Sequence, residues 1–357
     1  MANALIGGVR IDGIITAVPR NEVALADEAA GLGIPEGQLA RLKKTIGLDR
    51  RRIAPTEMTA SDLAEAAAER LLGGCACAPE DIDGIFMVTQ TPDYLQPGNA
   101  VLLQDRLGLP KSTAAMDLNL GCSGYVYGLW TVASLLRAGG LRRVLLLVGD
   151  TVSRIVHEKD RALRPLFGDA VAATLLTREE EDGTAPMRFD LCSDGSGYNA
   201  LYQPGGAFRE PWTPGRAEPR DLGEGVIRSR CHLHMDGAAI FNFSLKVEPP
   251  AIEGMLAASG WSVEDVDGFV FHQANRYILQ NIRRRLKLPA DKVPDGTVEK
   301  YGNQSGASIP GTLCDHYSTA LCERPHRMIW SGFGVGLSWA TCAVQLPALK
   351  TCGIVEL

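Results

Sequence analysis

The chain contains one combination of turn and apolar strand twice, once in each half. Residues 80–88 begin Glu-Asp-Ile-Asp-Gly and continue into an apolar strand, and residues 264–271 begin Glu-Asp-Val-Asp-Gly and do the same. Three further pairs of similar segments follow in the same order and at nearly the same spacing: 106–110 with 285–289, 121–124 with 302–306, and 143–149 with 327–333. Four matches in register predict a duplicated unit that spans about half of the chain.

Fully apolar strands alternate with helical stretches along both units. Uninterrupted apolar strands are typical of sheets buried on both faces, and regular alternation of strands and helices is typical of α/β proteins. We therefore predict an α/β fold with mainly parallel sheets, with one half over residues 1–185 and a second over residues 186–357. Helices are predicted at 61–72, 123–138, 239–258 and 275–286. Residues 192–236, rich in Gly, Pro and Arg, are predicted to form a long surface excursion that helps to shape a binding site.

The composition argues against several classes of function. The net charge of −6 disfavours nucleic acid and anionic membranes as main partners, because both select strongly basic surfaces. No apolar run reaches the roughly 18 residues of a membrane-spanning helix, and no leader sequence is recognised before the first strand. Nine cysteines scattered along the chain favour reduced thiols over a disulfide framework. We expect a cytoplasmic protein without a membrane span, with the acidic run at 179–182 in an exposed loop.

Cys122 lies between an apolar strand and an amphipathic helix, within Gly-Cys-Ser-Gly at 121–124. A thiol at a helix N-terminus meets the positive end of the helix dipole, which favours the thiolate and predicts a lowered thiol pKa. The flanking glycines allow a thioester to approach closely. This motif alone leaves two interpretations open: a catalytic nucleophile, or a buried structural cysteine like most of the other eight.

His272 and Asn303 occupy related places in the second half. His272 directly follows an apolar strand, at the sheet edge where α/β proteins bind ligands, and Asn303 lies in a turn that the repeat makes equivalent to the Cys122 turn. Taken alone, each is better explained structurally, His272 as a buried core histidine and Asn303 as an ordinary turn asparagine. A pseudo-twofold axis through the repeat would bring the two turns face to face.

Two other groups of residues bear on the chemistry. Residues 332–336 (Gly-Phe-Gly-Val-Gly) join two strands, and such a backbone can present N–H groups to an oxyanion or can simply form a tight turn. The pairs Cys75 with Cys77 and His232 with His234 are isolated, so no metal site is predicted from them.

Together these motifs resemble the thiolase-like condensing enzymes, and among them the β-ketoacyl-acyl-carrier-protein synthase III family. The matching segments are Gly-Cys-Ser-Gly at 121–124, Phe-Gly-Asp-Ala at 167–170, His-Gln-Ala-Asn at 272–275, Tyr-Gly-Asn-Gln-Ser-Gly-Ala-Ser-Ile-Pro at 301–310 and Gly-Phe-Gly-Val-Gly at 332–336. Residues 47–53 also resemble an N-terminal landmark of the family. The resemblance runs from about residue 5 to residue 346.

The resemblance implies a duplicated five-layer αβαβα fold, a homodimer and an acyl-enzyme mechanism. Cys122 would be acylated by a thioester, and the backbone N–H groups of Cys122 and Val335 would stabilise the oxyanion. His272 and Asn303 would support decarboxylation of a malonyl thioester, whose carbanion attacks the acyl-enzyme. Gly334, in the glycine-rich segment, would contact substrate. No cofactor is implied; the substrates would be an acyl-CoA or acyl-carrier protein and a malonyl-carrier protein.

The same resemblance suggests substrate and partner contacts. Arg161 matches an arginine that flanks the adenine of CoA, and Gln96 aligns roughly with an aromatic residue near the acyl pocket. The tryptophan that stacks on adenine in CoA-using relatives has no counterpart at 40–47, so the donor could be CoA or a carrier protein. Arg283 and Arg284 belong to a basic run that would dock an acidic acyl carrier protein, or would simply form a solvated helix face.

Several competing functions are weaker explanations of the same residues. Some relatives pass the acyl group to an alcohol or amine without decarboxylation, but they often alter the residues that correspond to His272 and Asn303. A Cys-His-Asn hydrolase is disfavoured because the papain-type Cys-Gly-Ser-Cys-Trp segment is absent, and a non-catalytic subunit is disfavoured by Cys122. The 3-hydroxy-3-methylglutaryl synthases and head-to-head condensers need a further glutamate, and residues 82–109 contain none.

Overall fold

The computed structural model describes residues 2–179 and 185–357. Its strands are β1 (Ala2–Ile6), β2 (Val9–Val18), β3 (Glu22–Ala24), β4 (Arg50–Arg52), β5 (Gly84–Val88), β6 (Ala114–Leu118), β7 (Arg143–Asp150), β8 (Ala170–Arg178), β9 (Met187–Ser193), β10 (Leu201–Tyr202), β11 (Arg220–Asp221), β12 (Ile227–Arg228), β13 (His234–Met235), β14 (Gly268–Phe271), β15 (His326–Gly334), β16 (Ser338–Leu346) and β17 (Thr351–Glu356). Its α-helices are α1 (Leu25–Ala29), α2 (Glu36–Arg41), α3 (Ala60–Cys75), α4 (Asn99–Arg106), α5 (Gly124–Ala138), α6 (Pro214–Ala217), α7 (Gly237–Ser259), α8 (Arg276–Leu286), α9 (Thr297–Tyr301), α10 (Ser308–His316) and α11 (Ser318–Glu323).

Two large sheets form the frame of the protein. The first has the strand order β17-β2-β8-β7-β5-β6, and the second has the order β1-β9-β16-β15-β14. The edge strand β17, from the C-terminal end of the chain, pairs with β2 in the first sheet, and the edge strand β1, from the N-terminal end, pairs with β9 in the second. These exchanged strands tie the two sheets together, and the division of the chain at residue 185 stays a prediction.

The repeat in the sequence corresponds to a repeated strand pairing. In the first sheet β5 pairs in parallel with β7, with Gly84 opposite Val144. In the second sheet β14 pairs in parallel with β15, with Gly268 opposite Met328. The step in residue number from Gly84 to Gly268 equals the step from Val144 to Met328. Beyond β7, the first sheet continues with β8 and then β2, each antiparallel to the strand before it. Beyond β15, the second sheet continues in the same way with β16 and then β9. Strand order and direction are therefore duplicated, as the repeat predicted.

The sheets are mixed, which corrects the prediction of mainly parallel sheets. β8 runs antiparallel to both of its neighbours, and β16 does the same in the second sheet. Residues 335–337 alone connect β15 to β16. A parallel pair needs a crossover of about a dozen residues or more, so this short connection forces β16 to return antiparallel.

Helices and sheets stack in five layers. The outer face of the first sheet packs against α3 and α4, and the outer face of the second packs against α7 and α8. Between the sheets lie α5 and α10, which contact strands of both and share one hydrophobic core with them. The buried strands β5 and β14 thus have apolar side chains on both faces because helices cover both. This arrangement confirms the five-layer αβαβα fold.

The helix ends follow from local capping chemistry. Asp62 accepts a hydrogen bond from the Thr59 N–H at 2.7 Å, and the two residues form a capping box at the start of α3. The predicted cap residue, Ser61, instead lies inside the helix and donates to Asp93 at 2.6 Å. At the start of α8, the Asn275 carboxamide oxygen accepts the Ile278 N–H at 2.9 Å. The other predicted helices begin and end close to the observed bounds.

The excursion between the halves starts later than predicted, because β9 extends through Ser193. Beyond it the chain forms the short strands β10 to β13 and the single-turn helix α6. No helix of the described residues is long and apolar enough to cross a membrane. Of the predicted acidic loop, Glu179 alone belongs to the described residues.

Leu129 offers a test of the central layer, because its side chain is fully buried on α5 between the two sheets. We expect Leu129→Ala to lower the free energy of unfolding by about 2–5 kcal/mol, since truncation leaves a cavity that the packed layers cannot close. Urea unfolding of both proteins measures the difference. Phe208→Ala, at a side chain 87% exposed, is the control and should change stability by no more than about 0.5 kcal/mol. Equal effects of the two substitutions would contradict the layer assignment.

Candidate active site

The predicted residues Cys122, His272, Asn303 and Gly334 line one cavity. The other lining residues are Leu166, Phe167, Leu201, Met235, Gly237, Ile240, Ala274, Asn275, Ile278 and Phe333. None of these side chains is an acid, a lysine or an arginine. The cavity therefore suits an uncharged, largely apolar ligand that ends at the Cys122 thiol.

Cys122 occupies the turn between β6 and α5, and both halves of the chain hold this turn in place. The Gly124 N–H donates to the Gly121 carbonyl at 2.7 Å, which closes the turn at the start of the helix. The Ser123 and Ser338 hydroxyls are hydrogen-bonded at 2.7 Å, which connects the turn to β16 of the second sheet. The thiol is therefore part of a rigid junction rather than of a mobile loop.

The end of β15 passes so close to Cys122 that it requires glycine. A Cβ atom on Gly334 would lie 2.6 Å from the Cys122 sulfur, and one on Gly332 would lie 2.6 Å from the Cys122 carbonyl oxygen. Real Cβ atoms do not approach other atoms this closely, so any larger residue would displace the thiol. The glycine-rich segment of the sequence is explained by this approach of backbone to nucleophile.

Burial raises the pKa of the Cys122 thiol to about 11, although hydrogen bonds from the backbone N–H groups of Val335 and Cys122 act against the shift. The lowered pKa predicted from the helix N-terminus is therefore wrong. The free-energy cost of removing a thiolate from water is larger than the stabilisation that the first turn of α5 and the two amides provide. The same two amides are the ones predicted to stabilise an oxyanion, and they converge on the sulfur.

His272 is a buried, neutral imidazole. Burial lowers its pKa to about 4, and a hydrogen bond with the Ser305 backbone acts in the opposite direction. Its backbone N–H donates to the Ser331 carbonyl at 2.8 Å, and its ring packs edge-on against Phe333, with ring centroids 5.6 Å apart. Nδ1 has no hydrogen-bond partner among the described residues. A neutral ring carries one N–H, so it can donate one hydrogen bond and accept another.

Asn303 is oriented by its neighbours. Its Oδ1 accepts the Ser305 N–H at 2.9 Å, which leaves the Nδ2 amide as the end available to a ligand. Nδ2 lies 3.5 Å from the Ala274 carbonyl, at the limit of a hydrogen bond. The backbone of Asn303 pairs with the chain at Leu166 and Gly168, at 2.9 and 3.1 Å. Protein contacts to both its side chain and its backbone therefore hold Asn303 in place.

Apart from Phe167, which lines the cavity, the Phe-Gly-Asp-Ala motif supports this arrangement from outside. A Cβ on Gly168 would lie 1.9 Å from the Tyr301 carbonyl oxygen, so only glycine lets this segment pair with the Asn303 turn. Asp169 is fully buried and accepts the Ala54 N–H at 2.8 Å and the Ser153 hydroxyl at 2.5 Å. The motif therefore has a structural role beside the site.

Gln96 and Arg161 do not line the cavity in this chain. Gln96 is exposed in the loop before α4. Arg161 is half-buried; its guanidinium contacts Gln38, its N–H donates to the Gly225 carbonyl at 3.0 Å, and Gly225 packs on its side chain. The excursion thus covers Arg161, and the substrate-binding roles of both residues stay predictions.

Arg283 and Arg284 lie in the last turn of α8. The first turn of the same helix reaches the cavity through Ile278, so the two arginines are roughly 12 Å along the helix from Asn275. Arg284 is exposed and bonds the Gln280 carbonyl at 3.1 Å. This basic surface is near the site without lining it.

The apolar wall of the cavity was not predicted from the sequence. Leu201 and Met235 come from the excursion and pair with each other across β10 and β13. Ile240 comes from α7 and Ile278 from α8. The one signal available was that Ile278 follows the His-Gln-Ala-Asn motif by one helical turn. In the described ranges, no group of three or more His, Cys, Asp or Glu side chains is arranged to hold a metal ion.

The chain is similar to known proteins over most of its length. The family model of 3-oxoacyl-[acyl-carrier-protein] synthase III matches residues 116–195, and the model of its C-terminal part matches residues 256–346. A β-ketoacyl-[acyl-carrier-protein] synthase III of Caldanaerobacter subterraneus is 36% identical over 84% of this chain and 87% of its own. A synthase of the same name from Clostridium perfringens is 34% identical over 85% of this chain and 90% of its own. The crystal structure of a Burkholderia xenovorans 3-oxoacyl-(acyl-carrier protein) synthase superposes with a TM-score of 0.92, at 36% identity over 99% of both chains.

The lowered pKa of His272 predicts a dependence of stability on pH. The His272 imidazole takes up a proton near pH 6.5 in the unfolded chain but only near pH 4 in the folded chain. Protonation therefore stabilises the unfolded chain first, and stability present above pH 6.5 is lost as the pH falls. We expect the wild type to lose about 2 kcal/mol more than His272→Gln between pH 7.5 and pH 5. Urea unfolding of both proteins at the two pH values measures this. Parallel losses would mean that the ring is not buried as a neutral group.

Proposed function

Since this chain belongs to the 3-oxoacyl-[acyl-carrier-protein] synthase III family, we propose that Cys122, His272 and Asn303 carry out its reaction. The protein is a condensing acyltransferase of fatty acid biosynthesis, and its substrates are thioesters. One observation supports the residue assignment above all others: side chains from both halves meet in a single uncharged cavity, at a thiol approached by two backbone amides.

In the first step Cys122 accepts an acyl group. Its sulfur forms a bond to the thioester carbonyl carbon, and the oxygen of the tetrahedral intermediate receives hydrogen bonds from the amides of Cys122 and Val335. Because the thiol pKa is about 11, the thiol is protonated at neutral pH and must lose its proton as it attacks. The proton is transferred to the departing sulfur, so the donor leaves as a free thiol.

In the second step a malonyl thioester loses carbon dioxide. The electrons of the broken C–C bond move to the thioester oxygen, where the N–H of His272 and the Nδ2 amide of Asn303 stabilise the developing charge. A neutral imidazole and a carboxamide suit this role, because both donate hydrogen bonds without a charge of their own. The carbanion then attacks the acyl carbonyl, the new C–C bond forms as the C–S bond to Cys122 breaks, and the released thiolate takes a proton from solvent.

The acyl donor and the partners follow from the same assignment. The malonyl group arrives on an acyl carrier protein, and the acyl group arrives on CoA or on a carrier protein. We place the docking surface for the acidic carrier at Arg283 and Arg284, because these cations lie at the far end of the helix that lines the cavity. No cofactor takes part. A cytoplasmic location fits these substrates.

A homodimer is supported by an uncovered sheet edge. β6 pairs with β5 on one side, and no described strand pairs with its other side. Large apolar side chains are exposed on and near this edge, namely Met116, Val101, Tyr94 and Leu95. Such an edge is prone to pair with another strand, and a second copy of β6 would cover it.

Acylation and condensation can be tested separately. We expect purified protein incubated with a panel of acyl-CoAs and acyl-carrier proteins to gain the mass of one acyl group, and Cys122→Ala to gain none. Malonyl-carrier protein should then discharge the acyl-enzyme with release of carbon dioxide and a 3-oxoacyl product. His272→Ala and Asn303→Ala should slow this discharge by at least about 100-fold. Intact-protein mass spectrometry and product analysis give both readouts.

Other outcomes would point to other functions. An acyl-enzyme that malonyl-carrier protein cannot discharge would favour transfer to an alcohol or amine. Free acid released without a second substrate would favour a hydrolase. An adduct that survives Cys122→Ala would refute the nucleophile.

Charge reversal at Arg283 and Arg284 tests the carrier surface. We expect the double substitution to glutamate to raise the KM for malonyl-carrier protein about tenfold at low salt, because it removes the attraction to an acidic partner. The KM for a small malonyl-pantetheine thioester should not change. Arg142→Glu reverses a charge on a side chain 70% exposed in the turn before β7 and serves as the control. An equal rise in KM for both substrates would mean that the double substitution perturbs the cavity rather than the docking surface.

A further inference from the structure

The loop between β15 and β16 carries one of the two amides proposed for the oxyanion, and it consists of residues 335–337 alone. Val335 lies against the Cys122 turn, since a Cβ atom on Gly121 would come within 2.7 Å of Val335 Cγ1. Gly336 follows with a φ of +140°, which residues with a side chain rarely adopt. The backbone next to Val335 therefore has unusual freedom unless another contact fixes it.

Two serine hydroxyls supply such a contact. Ser338, the first residue of β16, donates from its Oγ to the Val335 carbonyl at 2.7 Å. A hydroxyl carries one proton, so in the 2.7 Å hydrogen bond between the two serines Ser123 donates and Ser338 accepts. We call these two hydrogen bonds, from Ser123 to Ser338 and from Ser338 to Val335, the serine link.

The serine link is shielded from water. Ser123 is fully buried, and Ser338 is 4% exposed. Where water is excluded, consecutive hydrogen bonds polarise and strengthen each other, and a group that loses its partner has no water to replace it. The serine link is therefore a firm connection between the two loops and not an exchangeable surface contact.

The two ends of the serine link lie next to the two amides of the proposed oxyanion site. Ser123 directly follows Cys122 in the first half of the chain, and the other end is Val335 itself, in the second half. Because 215 residues separate the two serines, the distance between the amides depends on contacts across the tertiary structure. An oxyanion is stabilised well only where both donors are already aimed at the position that the oxygen will occupy.

We propose that Ser123 and Ser338 are positioning residues that set the separation and direction of the Cys122 and Val335 amides. Ser338 acts through Val335, Ser123 acts through Ser338, and neither serine lines the cavity. This inference rests on the proposed function of the two amides. An oxyanion forms on the acyl carbonyl when Cys122 attacks the donor and again when the carbanion attacks the acyl-enzyme, so both bond-forming events depend on the serine link. Decarboxylation does not.

The first test measures acyl-enzyme formation by rapid mixing and intact-protein mass spectrometry. We expect Ser338→Ala to lower the maximum rate about tenfold and to leave the half-saturating concentration of acyl donor unchanged, because the contact is made in the transition state. Ser338→Thr keeps the hydroxyl on a residue suited to a strand and should stay within about twofold of the wild type. Ser244→Ala is the matched control: it removes a fully buried serine hydroxyl that donates to the Phe241 carbonyl at 2.8 Å within α7, and the rate should not change.

The second test follows the fate of the malonyl group. After loss of carbon dioxide, the carbanion either attacks the acyl-enzyme to give the 3-oxoacyl product or takes a proton from solvent to give acetyl-carrier protein. A weakened oxyanion site slows the attack alone. We therefore expect Ser338→Ala to raise the ratio of acetyl-carrier to 3-oxoacyl-carrier protein about tenfold. General damage to the protein would lower both products and leave this ratio at the wild-type value.

A double-substitution cycle shows whether the two serines act as one unit. Ser123→Ala should slow acyl-enzyme formation by no more than Ser338→Ala does, and combining the two should cost no further rate, since the serine link is already broken. Circular dichroism checks folding. If Ser338→Ala does not fold, the acylation rate and the product ratio of Ser123→Ala decide the question, and both should shift in the directions given above.

Four results would overturn the inference. They are a wild-type acylation rate in Ser338→Ala, an unchanged product ratio, a Ser338→Thr variant as slow as Ser338→Ala, and additive losses in the cycle. Failure of the proposed function looks different, because the wild type itself would then form no acyl-enzyme, or malonyl-carrier protein would not discharge it.

Discussion

Both sheets rest on one shared layer of helices, and that layer decides where the site residues lie. α5 begins directly after the Cys122 turn, and α10 begins directly after the turn that contains Asn303. Since the two helices pack between the same sheets, the turns that precede them meet at the same edge. The N-terminal ends of both helices therefore lie close to the cavity, and their partial positive charge favours the negative oxygen that forms in each step.

Burial of the cavity explains both of its unusual titrations. Loss of water raises the pKa of the Cys122 thiol and lowers the pKa of the His272 imidazole, so each group keeps the neutral form at physiological pH. A neutral pair is a different resting state from the thiolate–imidazolium pair of some cysteine enzymes. It suits a cavity without charged side chains, where an ion pair would be costly, and it leaves a neutral histidine able to donate a hydrogen bond to an enolate oxygen.

The site was predictable from the sequence where chemistry requires one residue type. The repeat and the family motifs singled out Cys122, His272, Asn303 and the glycines around residue 334, which the structure brings to one cavity. The apolar wall was not found, because Leu201 and Met235 are ordinary apolar residues in an excursion whose path the sequence does not reveal.

The amino-acid sequence by itself determined the duplicated α/β fold, the family and the three side chains proposed to react, because repeats, hydrophobic patterns and motifs are properties of the linear chain. Tertiary structure decided the strand directions, the exchange of β1 and β17, the covering of Arg161 and the sign of the Cys122 pKa shift. Each of these depends on which distant residues exclude water or come into contact. The helix N-terminus next to Cys122 is local and favours the thiolate, but the layers that bury the thiol are assembled from the whole chain, and their effect is larger.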